Sequence, residues 1–318
     1  MIYATAWEVL LYLRGQKVGP STEKLTELDF RNFCVRASRR FDTYTHRHFY
    51  PKRQTRTYNH PAPGGFYEAA DLNPGNFLYP GQNVFQLENL LKLDDDLMEL
   101  LTLTTNNGGT VITSSDYFLM TGDNYNLPPY DRICLKSDGT QTVFLFSGTP
   151  QAANTVLGVW GYHEQPSEAW AQLDAVQDNP LLTGSSTITV VDPDGVDEFG
   201  VTPRFYPQQQ IRIGSGSTFE YCLITDVNFD GTTIEVARGI AGTTAMEWVQ
   251  DSLIYVYRPM PAIVDAVLTL ASHLWRRKDS IGTFEDRGMA SSTGVLVLPP
   301  KLPLEVADMI QAYIRSWP

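Results

Sequence analysis

The segment running from Phe30 to Pro51, FRNFCVRASRRFDTYTHRHFYP, constrains this chain more than any other. Phe30, Phe33, Ala37, Phe41 and Tyr44 recur at spacings of three and four, which places them on one face of a helix. Leu25, Leu28 and Val35 fall on roughly the opposite face. A helix that is apolar on two sides has to be covered on two sides. It therefore lies deep in a core or carries a second chain against its back. It is predicted to run into an aromatic, basic exit and to stop at Pro51.

The same segment polarises the charge. Between Arg31 and Arg56 there are eight basic residues (Arg31, Arg36, Arg39, Arg40, Arg47, Lys52, Arg53 and Arg56) and one acid, Asp42. Between Pro166 and Arg258 there are thirteen acids and four arginines, in a chain whose net charge is −12. An acidic chain argues against general affinity for nucleic acid. The basic stretch is either a solvated helix face or an electrostatic docking surface for an acidic partner.

A length of 318 residues suggests two or three domains, and a hydrophobic content of 42% is enough for a sizeable core. Cys34, Cys134 and Cys222 are far apart and lack CxxC spacing, so they read as reduced core residues. The first fifteen residues lack the basic start and small-residue cleavage site of a signal peptide, and no stretch approaches transmembrane length. These features predict a soluble chain made in the cytoplasm.

The expected fold class is α+β. Thr5 and Glu8 form a capping-box pattern for a first helix that Gly15 can end, and Ser21 is placed to cap the second. From Arg56 to His163 the period shortens: VFQL, LLKL, TVIT, YFLM, RICL, TVFLF and TVLGVWGYH read as antiparallel strands. Asn106 to Gly109 and Asp138-Gly139 are hairpin signals. In the next block STITVVD, QIRIG, EYCLITDV, TTIEVARG and SLIYVYRP read as five strands of a small β-barrel or sandwich. AWAQLDAVQDNPLLTGSS, which precedes them, reads as a linker.

Helix returns at Pro261, with stripes Ile263, Val267, Leu270, Leu274 and Val264, Leu268, Ala271, Trp275, and with Arg276 to Lys278 suited to its C-terminus. Asp279 to Gly294 reads as a mobile loop, and Leu304, Val306, Met309, Ile310 and Tyr313 mark a final short helix. The division expected is a helical core from residues 1–60 and 259–318, an antiparallel extension at 61–165, and a barrel or sandwich insertion at 166–258.

Catalytic chemistry is hard to find. His46 and His48 form an HxH pair with no third ligand nearby in sequence, and His163-Glu164 lacks a second histidine at zincin spacing. Asp94 to Asp96, and Asp192, Asp194, Asp197 and Glu198 around Gly195, carry oxygen ligands of the kind hard cations take. Neither run matches an EF-hand loop, and both read as turns. There is no GxSxG, no GxxxxGK[ST], and no GxGxxG opening a helix. A non-enzymatic role without cofactor or metal is expected, with a paired-acid hydrolase as the enzymatic alternative.

One order of motifs is specific. YAT near the start is followed by ASRRFDTYTHRHFYP, LDDDLMEL, PPYDRICL, a GVWGYHE strand, and an LASHLWRRKD helix. In this order the chain resembles the head-tail connector (adaptor) proteins of tailed double-stranded-DNA bacteriophages, over roughly Ile2 to His163 and Pro259 to Pro318. The resemblance implies a homo-oligomeric ring, typically a dodecamer, in the virion neck. Such a ring joins the portal to the next neck or tail component, and DNA passes through it without sequence-specific binding. By analogy Arg36, Arg39, Arg40 and Arg47 are candidate partner or neighbour contacts. Leu304, Met309, Ile310 and Tyr313 belong to a candidate C-terminal arm that orders on docking. The alternatives are another neck or tail-completion protein, or a virion module whose β insert binds a host glycan through Tyr206, Trp248 and Tyr257.

Overall fold

The computed structural model describes residues 2–15, 27–61, 89–122, 124–197, 200, 202–229, 231–286 and 302–315. The expected Ser21 cap, Leu25, the VFQL run, Glu198 and residues 287–300 lie outside them. The fold is α+β, with two antiparallel sheets and four α-helices among the described residues. Two compact units divide it, one holding Met1–Phe49 with Ala169–Arg315 and the other Tyr50–Glu168.

In the first unit, α1 (Ala6–Gly15) opens on the expected capping box: Thr5 N–H donates to Glu8 Oε2 at 2.6 Å and Glu8 N–H to Thr5 Oγ1 at 3.2 Å. α2 (Glu27–Thr45) buries Phe30, Phe33, Cys34, Ala37, Ser38 and Phe41. Tyr44, expected on that face, is 42% exposed; Thr45 one position on is buried instead. After Thr45 the chain leaves the helix through His46 at φ 54°, so the helix ends before Pro51. α3 (Pro261–Asp286) continues beyond Lys278, which corrects the loop expected from Asp279 as far as Asp286. No proline interrupts SIGTFED, and its one glycine is tolerated in a helix. α4 (Leu304–Tyr313) is the expected last helix. α2 packs against α1, α3 and α4, and Tyr12 Oη meets Thr269 Oγ1 at 3.2 Å.

The six-stranded sheet of this unit has the order β8 (Trp170–Ala175), β13 (Leu253–Tyr257), β10 (Gln210–Ser215), β11 (Thr218–Asn228), β12 (Thr233–Ala237), β9 (Thr187–Thr189). All five expected strands are present. The sixth, β8, lies in the stretch read as a linker and pairs antiparallel with β13. The outermost strands are stitched together: Gln177 N–H donates to the Thr189 carbonyl at 2.8 Å, and Val191 N–H to Asp174 Oδ1 at 3.0 Å. One face of the sheet buries Ile211, Ile213, Cys222, Ile224, Ile234, Ile254 and Val256. The other carries an aromatic ladder, with Trp170 stacked on Tyr221 at 5.4 Å and Arg212 lying 4.8 Å from both Trp170 and Tyr255. That is why YCLI is apolar without alternation: both faces of β11 are covered.

The second unit is a seven-stranded sheet. Its order is β1 (Lys52–Tyr58), β7 (Asn154–Trp160), β2 (Leu90–Thr105), β6 (Tyr130–Leu135), β4 (Tyr117–Thr121), β5 (Asn124–Tyr125), with β3 (Thr110–Ile112) on β2. Residues 52–58, assigned by sequence to the helical core, are therefore a sheet strand along β7. The Asn106–Gly109 signal does join two paired strands, β2 and β3. Asp138-Gly139 makes a turn, but TVFLF after it is no strand; Phe144 is buried there as a loop residue. Asp94 to Asp96 lie inside β2 and not in a turn.

The GVWG motif has a steric reason. A Cβ on Gly158 would lie 2.4 Å from Leu97 Cδ1 and 2.7 Å from the Glu99 carbonyl, where β2 bulges against β7. Gly161 sits at φ 142°, and a Cβ there would lie 2.6 Å from the Tyr50 carbonyl. Between them Trp160 is fully buried and donates from Nε1 to the Gln54 carbonyl at 2.8 Å.

Candidate interaction surfaces

α2 divides its side chains cleanly. Opposite its buried phenylalanines, Arg31, Arg36 and Arg39 are exposed and Arg40 is half-buried. None of these four arginines is in an ion pair among the described residues. Arg36 is followed at three and four residues by Arg39 and Arg40, neighbours of like charge on a helix surface, which is unfavourable in isolation. Arg47 is half-buried at the helix exit. The structure thus brings Arg36, Arg39 and Arg40 into one row and sets Arg47 apart from it in the turn beyond Thr45.

The helix exit is held by a knot of aromatic rings. Phe49 is fully buried, 5.8 Å from Tyr3, 5.4 Å from Phe41 and 5.9 Å from Tyr313. Tyr3 Oη accepts from Phe49 N–H at 2.8 Å and donates to Asp42 Oδ1 at 2.6 Å; Tyr257 Oη donates to the Phe49 carbonyl at 2.5 Å. Burial pushes the Asp42 carboxyl up to about 7, against the lowering effect of the Tyr3 hydrogen bond. It also pushes the Tyr3 phenol well up, with the Asp42 charge adding to the effect.

The candidate C-terminal arm lies against this knot. Arg315 N–H donates to the Thr45 carbonyl at 2.9 Å, Tyr313 contacts Phe49, and Val306 and Ile310 are buried. Met309 is half-buried, while Leu304 is 77% exposed. Of the four arm residues named from sequence, Leu304 alone points its side chain fully into solvent; Ile310 and Tyr313 pack within the chain.

Elsewhere in this unit, Glu220 is wholly buried and fully engaged. Arg238 Nη2 lies 2.6 Å from its Oε2 and Arg238 Nε 2.9 Å from its Oε1. Trp248 Nε1, Met246 N–H and Gly239 N–H each donate to it at 3.0 Å. Burial alone would raise this carboxyl; the bonds from Arg238, Trp248 and Met246 prevail and hold it below the ordinary glutamate value. Arg238 also donates to the Leu182 and Met246 carbonyls, so the pair shapes the RGIAGTTA loop. Trp248 and Tyr257, suggested as glycan contacts, are buried and hydrogen-bonded, and Tyr206 is half-buried.

The acid runs are likewise committed. Arg56 pairs with Asp94 at 2.8 Å and Asp95 at 2.6 Å and lies 4.2 Å from the Trp160 ring. Three motifs distant in sequence meet there: LDDD, TRTY and GVWG. Asp192 and Asp174 flank Arg204 at 3.8 and 3.3 Å, and Asp197 pairs with Arg258 at 3.1 Å. No group of three or more His, Cys, Asp or Glu suited to a metal occurs among the described residues. His46 is exposed and His163 is buried, accepting from Gln165 N–H at Nδ1. No described helix is long and apolar enough to cross a membrane.

Sequence reasoning missed one feature that bears on docking. Asp226 on β11 and Glu235 on β12 are direct cross-strand partners, both exposed, and neither has an ion pair among the described residues. Nothing in the sequence signals this, because a bulge after Ile224 sets the register. No protein-family model and no curated protein matches the chain.

Proposed function

We propose that this chain is a structural protein of a phage neck. It forms a ring that joins the portal to the next neck or tail component and lets DNA pass. In this reading α1–α4 form the helical adaptor core built from the two ends of the chain, and the two sheets are β insertions, the one stitched at its edges being a small barrel. The ring works in the virion at the portal vertex, without catalysis or cofactor.

The observation that carries the reading is the arginine row of α2, unpaired among the described residues, two of whose members, Arg39 and Arg40, lie in the ASRRFDTYTHRHFYP motif that bears the family resemblance, with Arg36 just before it. Arg36, Arg39 and Arg40, without an ion pair among the described residues on a helix whose other face is spent on the core, suit a contact with another subunit. The acidic remainder of the chain suits a lumen that does not grip DNA, since phosphate contacts would add salt-dependent affinity.

The test is to tag the chain, recover it from infected cells, identify the proteins that come with it and image the product by negative stain. A ring stacked on a portal is expected. A lone monomer without portal would refute the reading.

A further inference from the structure

Two surfaces of the first unit are charge-frustrated in the isolated chain. On α2, Arg36 lies one turn from Arg39 and Arg40, at about 5–6 Å between neighbouring positions. On the sheet, Asp226 and Glu235 stand directly opposite each other on neighbouring strands, at about 5 Å. Like charges in either geometry repel, and neither surface forms an ion pair among the described residues. Their spacings match and their signs are opposite. Each surface has an exposed ring beside it: Tyr44 on α2 and Phe229, three residues after Asp226.

Other exposed acids fit less well. Glu305 lies in the first turn of α4, where the helix dipole already favours it. Glu247 and Asp251 lie between β12 and β13, off the paired strands.

We propose that the Arg36/Arg39/Arg40 row of one copy docks on the Asp226–Glu235 pair of a second copy. This deepens the ring reading above and rests on it. The two patches are different surfaces of the same chain, so the contact is head-to-tail, the type that closes into rings. Like charges that cost stability in the monomer become the attraction between neighbours and disfavour any docking of α2 on α2.

The test uses the full chain and measures subunit association by sedimentation and mass photometry. Arg36→Glu with Arg40→Glu, and separately Asp226→Arg with Glu235→Arg, are expected to weaken association roughly ten- to a hundredfold. Mixing the two variants is expected to restore it, because each then offers the other one native and one swapped contact. Arg36, Asp226 and Glu235 are exposed and Arg40 is half-buried, so retention of the fold is checked by circular dichroism; Arg36→Gln with Arg40→Gln, which adds no new charge, is expected to weaken association less and flatten its salt dependence.

If either reversal assembles like the wild type, or both weaken and mixing restores nothing, the surface assignment is wrong while the ring stands. Reversals that keep the ring but lose portal binding would assign the arginines to the portal and overturn the proposal. A wild-type chain that stays monomeric at every concentration removes the ring reading and this contact with it.

Discussion

Replacing Glu220 by glutamine tests the structure most directly, because shape is kept and only charge and acceptor capacity change. Oε1 accepts from Arg238 Nε and Gly239 N–H; Oε2 accepts from Arg238 Nη2, Met246 N–H and Trp248 Nε1. Whichever way the amide is turned, its NH2 group faces at least two N–H donors. Each lost buried acceptor costs about 1 kcal/mol or more, and Arg238, itself buried, loses its counter-charge. The expected cost is about 3–5 kcal/mol, the range for breaking a buried pair by removing one partner.

The chain has two units, so a global melt would mix them. Hydrogen exchange of the Cys222 and Ile224 amides under native conditions reads the first unit alone. The pH dependence has a definite sign. A carboxyl held below its ordinary value stabilises the fold above that value, about 4.3, and the contribution is lost as pH falls through the folded value. The wild type is expected to lose protection more steeply than Glu220→Gln below about pH 5. Glu247→Gln, at an exposed position between β12 and β13, serves as the control and is expected to stay within about 0.5 kcal/mol. A cost for Glu220→Gln below about 1 kcal/mol, with parallel acid limbs, would refute the account of this pair.

Two further outcomes follow from packing and burial. Gly158→Ala is expected to destabilise the second unit by about 1–3 kcal/mol, since the Glu99 carbonyl cannot yield without moving β2; wild-type midpoint in urea would show the space is there. Asp42, raised to about 7, makes the opposite pH contribution to Glu220: its stabilising share is full below the ordinary aspartate value and is lost as pH climbs through 7. Asp42→Asn should therefore flatten the decline in Phe49 amide protection between pH 4 and pH 7, and an unchanged slope would exclude Asp42 as its source.

Helices with one strong stripe and strands bounded by turn residues were legible locally. α1 with its capping box, the buried face of α2, α4 and the five strands of the second block all follow from spacing and caps. Misread elements were those whose state depends on a distant partner. AWAQLDA becomes a strand because β13 offers it an edge, and Asp94 to Asp96 are tolerated in β2 because Arg56, 38 residues away, meets two of them. Tyr44 was put in the core by a spacing of three, whereas the fold buries Thr45 at a spacing of four.

The interaction surfaces divide in the same way. The arginine row was visible in the sequence because helix geometry fixes which residues share a face over a few turns. Its acidic counterpart was not, because the Asp226–Glu235 pairing depends on a strand register shifted by a bulge. By itself the sequence determined the local elements, the charge polarity and the buried face of α2, all set by neighbours within a few residues. Only the tertiary structure decided that Ile310 and Tyr313 pack inward, that Arg56 pairs with two acids of the LDDD run, and that Asp226 and Glu235 face each other. Those outcomes depend on contacts between segments far apart in the chain, which no local period encodes.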